Sequence, residues 1–371
     1  MIKNNKKKLT VLQIIPELNS GGVERGTLEV GKYLLNKGHR SIVISGGGRM
    51  VSHLIKEGSE HFKWQIGKKS IFTFRYVITL ARFIIENKID ILHARSRLPA
   101  WICFFALKIV PSKIKPKFIT TFHGSYSVNA YSAIMAKGDK VIVISQTIKN
   151  YVLDNYKINP KNIFLNYRGV DPIQFPFLYK PDKFWIDEWY KCYPVTKNKI
   201  LLTLPARITR WKGQEDFIKI ISELKKQHPN VIGLIVGDVK KDKVNFLNEL
   251  KEKVVELGVE KNILFIGHRS DIREIMSISN IVFSLSREPE AFGRVTMESL
   301  KLGVPVIAYN HGGVQEQLNE IFPEGGIKKG ELSQGVLLAS KWIKTPPKVP
   351  FSESFSLNKM LENTLKVYES A

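Results

Sequence analysis

Arg207 and Lys212, the latter followed by Gly213, stand between an apolar run and a segment of helical periodicity. A cation at a helix N-terminus opposes the helix dipole unless an anion sits there too. Two cations converging on one helix start suit a diphosphate, whose charge they would stabilise without a metal. The bland reading of the same pair is solvated surface charge. Glu290 and Glu298 lie in the stretch Glu288-Pro289-Glu290-Ala291-Phe292-Gly293-Arg294-Val295-Thr296-Met297-Glu298. The first falls in a strand-to-helix loop, and the second on the helix that Gly293 opens. A buried carboxylate there would accept hydrogen bonds from paired hydroxyls; an exposed one would only solubilise the helix. His123, in Thr120-Thr121-Phe122-His123-Gly124, is either a structural histidine or a hydrogen-bonding group and proton carrier at a strand end. Gly21-Gly22-Val23-Glu24 lets a phosphate approach the backbone at a helix start, or makes a tight turn with no ligand. The spacing of Gly21, Gly22 and Gly26 is not the dinucleotide fingerprint, and Ile44-Ser45 runs into glycines where that fingerprint needs an acid. Gly312-Gly313-Val314 repeats the Gly-Gly arrangement.

These residues need elements that bring several strand ends together. Residues 9–18 are strand-like, residues 23–35 carry apolar positions at near-helical spacing, and residues 41–45 form the next strand, which is one βαβ unit. The alternation continues with strands at 89–93, 118–122 and 140–144 and helices at 70–88, 99–109 and 147–155. Between 171 and 196, Pro172, Pro176, Pro181 and Pro194 alternate with Phe175, Phe177, Tyr179, Phe184, Trp185 and Trp189. Proline density predicts a connector, and the aromatics predict that it packs on something. The pattern then restarts, with strands at 200–204, 231–236, 263–265, 281–285 and 304–308 and helices at 213–227, 246–257 and from 293 to near 303. Two α/β domains with parallel sheets follow, and such sheets place ligands at the carboxyl ends of their strands.

A chain of 371 residues with 43% apolar residues can bury two cores. Its only cysteines, Cys103 and Cys192, exclude a disulfide scaffold and a four-cysteine zinc site, and fit a reducing compartment. The longest uncharged apolar run, 98–107, is shorter than the ~20 residues a membrane span takes. Pro16 and Glu17 interrupt the apolar start, so no signal peptide is expected. The net charge of +23 favours anionic partners, but the lysines are scattered over 6–8, 68–69, 113–117, 137–161 and 240–243 with no basic tail. No helix-turn-helix, zinc-finger or aromatic RNA-binding pattern accompanies the charge, so no nucleic-acid partner is expected.

Taken in order, Gly-Gly-Val-Glu at 21–24, His123-Gly124, Arg168-Gly169-Val170-Asp171, Arg207 with Lys212-Gly213, Glu290 to Glu298, Gly303-Val304-Pro305-Val306-Ile307 and His311-Gly312-Gly313 resemble the GT-B glycosyltransferases, specifically the retaining group called family 4. The segment Ala94-Arg95-Ser96-Arg97-Leu98-Pro99-Ala100-Trp101 is similar to the lipopolysaccharide-core subgroup. The resemblance implies two Rossmann-like, doubly wound α/β domains facing across a cleft. An N-terminal acceptor-binding domain would span 1–172, with a C-terminal helix in 354–371 packing back on it. A connector would span 173–196, and a nucleotide-sugar donor domain 197–353.

It also implies roles. Gly21 and Gly22 would meet the donor phosphate, and Arg207 and Lys212 would bind the diphosphate. Glu290 would hold donor-sugar hydroxyls beside the Phe292-Gly293 backbone, Glu298 would hold the nucleotide ribose, and His123 would lie beside the transferred sugar. Arg168 stands where the family has asparagine and receives no catalytic role. The implied reaction moves a hexose from a UDP-sugar or GDP-sugar with retention, the leaving phosphate acting as base, with no metal and no cofactor. The implied partners are the donor, a lipid-linked glycan acceptor of lipopolysaccharide-core type and an anionic membrane surface. Basic and aromatic residues in 70–88 and at Arg95, Arg97, Trp101, Phe104, Phe105 and Lys108 suit that surface. Their alternative is core aromatics beside solvated cations. The implied location is the cytoplasmic face of a Gram-negative inner membrane. A sugar-nucleotide epimerase on the same scaffold remains the competing enzyme, though no acid/base pair beyond His123 is evident.

Overall fold

A computed structural model of the chain describes residues 7–19, 21–240 and 243–371. Lys6 of the first basic run, Ser20 of the first Gly-Gly loop and Lys241 of the run 240–243 lie outside the described residues. The chain divides into two units, Met1–Tyr167 with Asn358–Ala371, and Arg168–Leu357.

In the first unit the strands are β1 (Thr10–Ile14), β2 (Arg40–Ser45), β3 (Glu60–Lys63), β4 (Ile91–Ala94), β5 (Lys117–Phe122), β6 (Lys140–Val143) and β7 (Ile163–Leu165). The helices between them are α1 (Gly22–Asn36), α2 (Val51–Lys56), α3 (Tyr76–Glu86), α4 (Arg97–Ile109) and α5 (Gln146–Asn155). All strands pair in parallel, in the order β3-β2-β1-β4-β5-β6-β7. Val11, Leu12, Ile42, Val43, Ile91, Leu92 and Ile119 are buried, because helices cover both faces of a parallel sheet. The edge strand β3 (Glu-His-Phe-Lys) carries no such run, and β7 (Ile-Phe-Leu) is apolar but short, with only Ile163 buried. Residues 70–88 do not form one helix: a 3-10 turn, Ile71–Arg75, capped by the Ser70 side chain, precedes α3.

The second unit opens with α6 (Lys183–Cys192), inside the proline-rich segment. Then come β8 (Ile200–Pro205), α7 (Gln214–Gln227), β9 (Val231–Val236), α8 (Val244–Glu256), β10 (Ile263–Gly267), α9 (Ile272–Ser277) and β11 (Ile281–Ser284). They are followed by α10 (Arg294–Leu302), β12 (Val306–Tyr309), α11 (Gly312–Ile321), β13 (Gly326–Ile327) and α12 (Leu332–Lys344). Its sheet is also parallel, in the order β10-β9-β8-β11-β12-β13. Asp182 caps α6, and Trp189 packs on Leu201, Ile232, Leu234 and Val236 with Trp185 stacked on it. The indole N–H groups find partners, Trp185 at Asp271 and Trp189 at Thr196. Trp185 and Trp189 therefore belong to the core of the second unit, whereas Phe184 is exposed.

In each sheet the order reverses once, between β1 and β4 and between β8 and β11. Open α/β sheets bind ligands in the crevice outside the strand carboxyl ends at such a switch point.

The last helix, α13 (Leu357–Glu369), closes the first unit. The Tyr368 hydroxyl lies 2.6 Å from His93 Nδ1, and His93 Nε2 lies 2.7 Å from Thr121 Oγ1. Asn166 Nδ2 donates to the Met360 carbonyl and to Thr364 Oγ1. Burial, then Arg95 and His123, hold the His93 imidazole well below 6.5. A base with a depressed folded pKa resists protonation in the native state while the unfolded chain accepts the proton. Its contribution is therefore complete above the unfolded value of 6.5 and is lost as pH falls below it. Urea unfolding at about pH 7.5 and about pH 5.5 should show stability falling by up to about 1.4 kcal/mol per pH unit from this group. The His93→Gln variant should lack that share of the slope; an unchanged slope would refute the assignment.

Candidate functional site

At the switch point of the second unit, two loops meet in a way only glycine permits. Gly213 adopts φ +78°, and a Cβ there would sit 2.1 Å from the Leu285 carbonyl oxygen. The β8–α7 connection thus lies directly against the end of β11. Lys212, the last residue of the 3-10 turn Arg210–Lys212, is carried to the loop after β11. Its Nζ lies 2.6 Å from Glu290 Oε1, with both side chains about 15% exposed. Ser286 Oγ also donates to Glu290 Oε1, and the Lys212 ammonium lies 4.1 Å from the Trp211 ring centroid. Glu290 Oε2 takes no hydrogen bond from the described residues.

The loop 285–293 is fixed from behind by Arg287. Its guanidinium grips Asp216 on α7 with bonds of 3.0 and 2.6 Å and reaches Glu215 at 3.1 Å. The Tyr309 hydroxyl donates to the same Asp216 carboxylate at 2.7 Å. These bonds, that to Asp216 foremost, raise the Arg287 pKa, and burial raises that of Tyr309. His311, at the N-terminal end of α11, has Nε2 2.7 Å from the Ser286 carbonyl oxygen. Gly312 and Gly313 lie against the same loop: a Cβ at Gly313 would sit 2.7 Å from the Ala291 carbonyl, and the Gly313 N–H donates to the Glu290 carbonyl at 2.7 Å. The second Gly-Gly pair therefore makes room for the Glu290 loop.

Gly293 (φ +86°) opens α10, and Glu298 follows on its inner face. Arg294, one turn earlier, donates to Glu298 Oε1 at 3.0 and 2.5 Å. Glu298 is buried, and its Oε2 takes no hydrogen bond from the described residues. The two glutamates are alike: each has one oxygen fixed by a cation and the other open. An ionised carboxylate oxygen so placed accepts hydroxyl donors. Phe292 is buried against Phe355, and its carbonyl accepts from Gln317. Arg207 is exposed, and its carbonyl accepts from Gln214 Nε2 at 2.9 Å.

The remaining sequence candidates lie in the first unit. Gly21 (φ +141°) precedes α1, and Gly22 is its first residue. A Cβ at Gly21 would meet the Glu24 carboxylate at 2.6 Å, so Glu24 folds back over its own helix start, as in a capping box. His123 follows β5, half-buried, beside the His93 cluster. The structure thus places Lys212, Glu290, Phe292 and Gly293 on adjoining loops of one unit with Glu298 on the helix that follows, and Gly21, Gly22 and His123 on the other unit. It corrects one surface assignment: Arg95 is 4% exposed, with Nε donating to Gln13 Oε1 at 2.8 Å, and is no part of a membrane face. Ser286, Arg287, Asp216 and Tyr309 escaped the sequence reading. Ser286, Arg287 and Tyr309 had a signal, their place at the end of a strand, and Asp216 had none.

Two family descriptions match the chain, Glycosyl transferases group 1 over residues 186–332 and Glycosyltransferase Family 4 over residues 20–174. Among solved structures, a glycosyltransferase from Rickettsia africae ESF-5 is 34% identical, covers 98% of each chain and superposes with a TM-score of 0.84. Anabaena Alr3699/HepE, solved in complex with UDP and glucose, is 20% identical over 98% of this chain and 100% of that one, with a TM-score of 0.83. The N-acetyl-alpha-D-glucosaminyl L-malate synthase of Bacillus anthracis is 26% identical over 320 residues, 81% of this chain and 78% of that protein.

Proposed function

The chain belongs to the group 1 glycosyltransferases, family 4, with the GT-B fold, and on that premise we propose that it moves a hexose from a UDP-sugar or GDP-sugar to a lipid-linked cell-envelope glycan of lipopolysaccharide-core type, with retention and without a metal. The observation that carries this reading is the Lys212–Glu290 pair at the switch point of the second unit. Lys212, with the exposed Arg207 and the amides at the start of α7, faces charge growing on a departing diphosphate. Glu290 Oε2 accepts hydroxyls of the donor sugar, and Glu298 Oε2 accepts those of the ribose. Gly21 and Gly22 meet the donor phosphate and His123 lies beside the transferred sugar. No carboxylate nucleophile is assigned, so the incoming hydroxyl attacks the face that the diphosphate leaves, and a phosphate oxygen takes its proton. Of the two nucleotides, UDP is favoured by the complex of the fold neighbour Alr3699/HepE.

The acceptor reading draws on the first unit. Ile71 and Phe72, 81% and 76% exposed, project beside Lys68, Lys69 and Arg75. Such a patch enters an anionic interface. No described helix is long and apolar enough to cross a membrane. Full-length protein should cosediment with anionic liposomes at low salt, and the Phe72→Ser variant should cosediment less.

Thermal unfolding with UDP and GDP tests the donor half. A ligand at about 100 times its Kd stabilises by about 2.7 kcal/mol, so one nucleotide should raise the transition and the other leave it. Silence from both refutes the donor assignment. Turnover should persist in EDTA, and the product should keep the donor's anomeric configuration. Conversion of a UDP-sugar to its epimer with no acceptor present would favour the epimerase.

A further inference from the structure

We propose that Arg97 is the seat for an anionic group, a phosphate or a carboxylate, carried by the acceptor sugar; this rests on the reading that the first unit receives the acceptor. Arg97 is the first residue of α4, directly after β4 and beside the switch point of the first sheet. Its guanidinium lies 4.9 Å from the Tyr126 ring centroid and 5.2 Å from that of Tyr131, and donates to Ser132 Oγ at 3.1 Å. That is its one side-chain hydrogen bond among the described residues, which leaves most of its five donors open.

The charge is unbalanced. Five partly buried arginines, Arg40, Arg269, Arg273, Arg287 and Arg294, each face a carboxylate, while the buried Arg95 is held by Gln13. Arg97 forms no ion pair with a described residue, and α4 has no acid in its first turn. A cation there meets the positive end of the helix dipole, an arrangement that an incoming anion relieves. The two rings hold the guanidinium in place, which lowers the rotamer entropy lost on binding. Its planar fork matches phosphate or carboxylate in a bidentate contact.

The surroundings are built to last. Tyr126 is fixed through its carbonyl, which accepts from the Tyr151 and Tyr156 hydroxyls, and its own hydroxyl is hydrogen-bonded by the His123 backbone. Trp101 Nε1 donates to the Tyr131 carbonyl at 3.0 Å. One loop thus carries His123 and both rings that grip Arg97, so an anion on Arg97 would sit a short step from His123. Tyr131, 38% exposed, offers a ring face to the sugar.

The test titrates glucose 6-phosphate, glucuronate, glucose and inorganic phosphate into the full chain by calorimetry, with UDP in a parallel cell. At least one acidic sugar should bind about tenfold or more tighter than glucose, the range for hydrogen bonds to charged groups, and tighter than inorganic phosphate. Whichever of the two binds names the anion. The Arg97→Gln variant should lose this preference; if it fails to fold, Tyr131→Leu should at least halve it. Equal binding of all three sugars, no binding by any, or a preference that survives the substitution overturns the proposal. Failure of UDP to bind the wild-type chain would count against the donor site alone and leave the Arg97 comparison readable.

Discussion

Replacing Lys212 by alanine is expected to lower kcat for sugar transfer by about 10²–10³, the loss seen when one preorganised group facing a developing anion is removed. Two consequences of the substitution act together. The ammonium that would face the departing diphosphate is gone, and Glu290, about 15% exposed, loses the cation it pairs with among the described residues. Ser286 still donates to Glu290 Oε1, so the carboxylate keeps one partner. The Glu290→Gln variant separates the two effects: it retains the Lys212 cation and a carbonyl oxygen for Ser286, and removes the negative charge while turning one acceptor oxygen into an NH2 donor. If Lys212 acts on the leaving group, Lys212→Ala falls chiefly in kcat, and the double variant falls less than the product of the singles because the pair is shared. The assay is release of nucleotide diphosphate from the donor under single-turnover conditions. A Lys212→Ala enzyme within threefold of wild type would end the assignment.

How much of this was legible beforehand divides along physical lines. Lys212 stood out in the sequence as a cation at a helix start, because helix ends are written locally; the carboxylate it pairs with there, Glu290, lies 78 residues away and was not legible as its partner. The buried strand β9 declares itself by a continuous apolar run, whereas the edge strand β3 (Glu-His-Phe-Lys) has none and β7 (Ile-Phe-Leu) is apolar but only three residues long. In the segment 171–196 the prolines outweighed a helical cue, Trp185, Trp189 and Tyr193 at spacing four, which is the stripe that α6 and its cap bury. The Asp216–Arg287–Tyr309 cluster was illegible for another reason. Its members come from α7, the loop after β11 and β12, and only the order of strands in the sheet makes them neighbours. Arg95 misled because a charged residue within an aromatic stretch reads as surface, while Gln13 and Tyr368, which make its burial tolerable, lie far away in sequence.

Gly213→Ala should be strongly damaging although it removes no functional group. Two costs add. A non-glycine residue at φ +78° costs about 1–2 kcal/mol. The new Cβ would start 2.1 Å from the Leu285 carbonyl oxygen, and backbone cannot swing away as a side-chain tip does, so relief adds about 1–3 kcal/mol. Gly330, at φ +82° with nothing within 4 Å of its Cβ position, isolates the first cost, and Gly330→Ala should lose about 1 kcal/mol with unchanged turnover. Turnover is where the two must part. Relief at Gly213 pushes Lys212 away from Glu290, and a displacement on the order of 1 Å is enough to cost about 10²-fold in rate. Urea unfolding and donor turnover measured on both variants decide the matter. If Gly213→Ala matches Gly330→Ala in both, the close approach of the two loops does not hold the cation in register with the carboxylate.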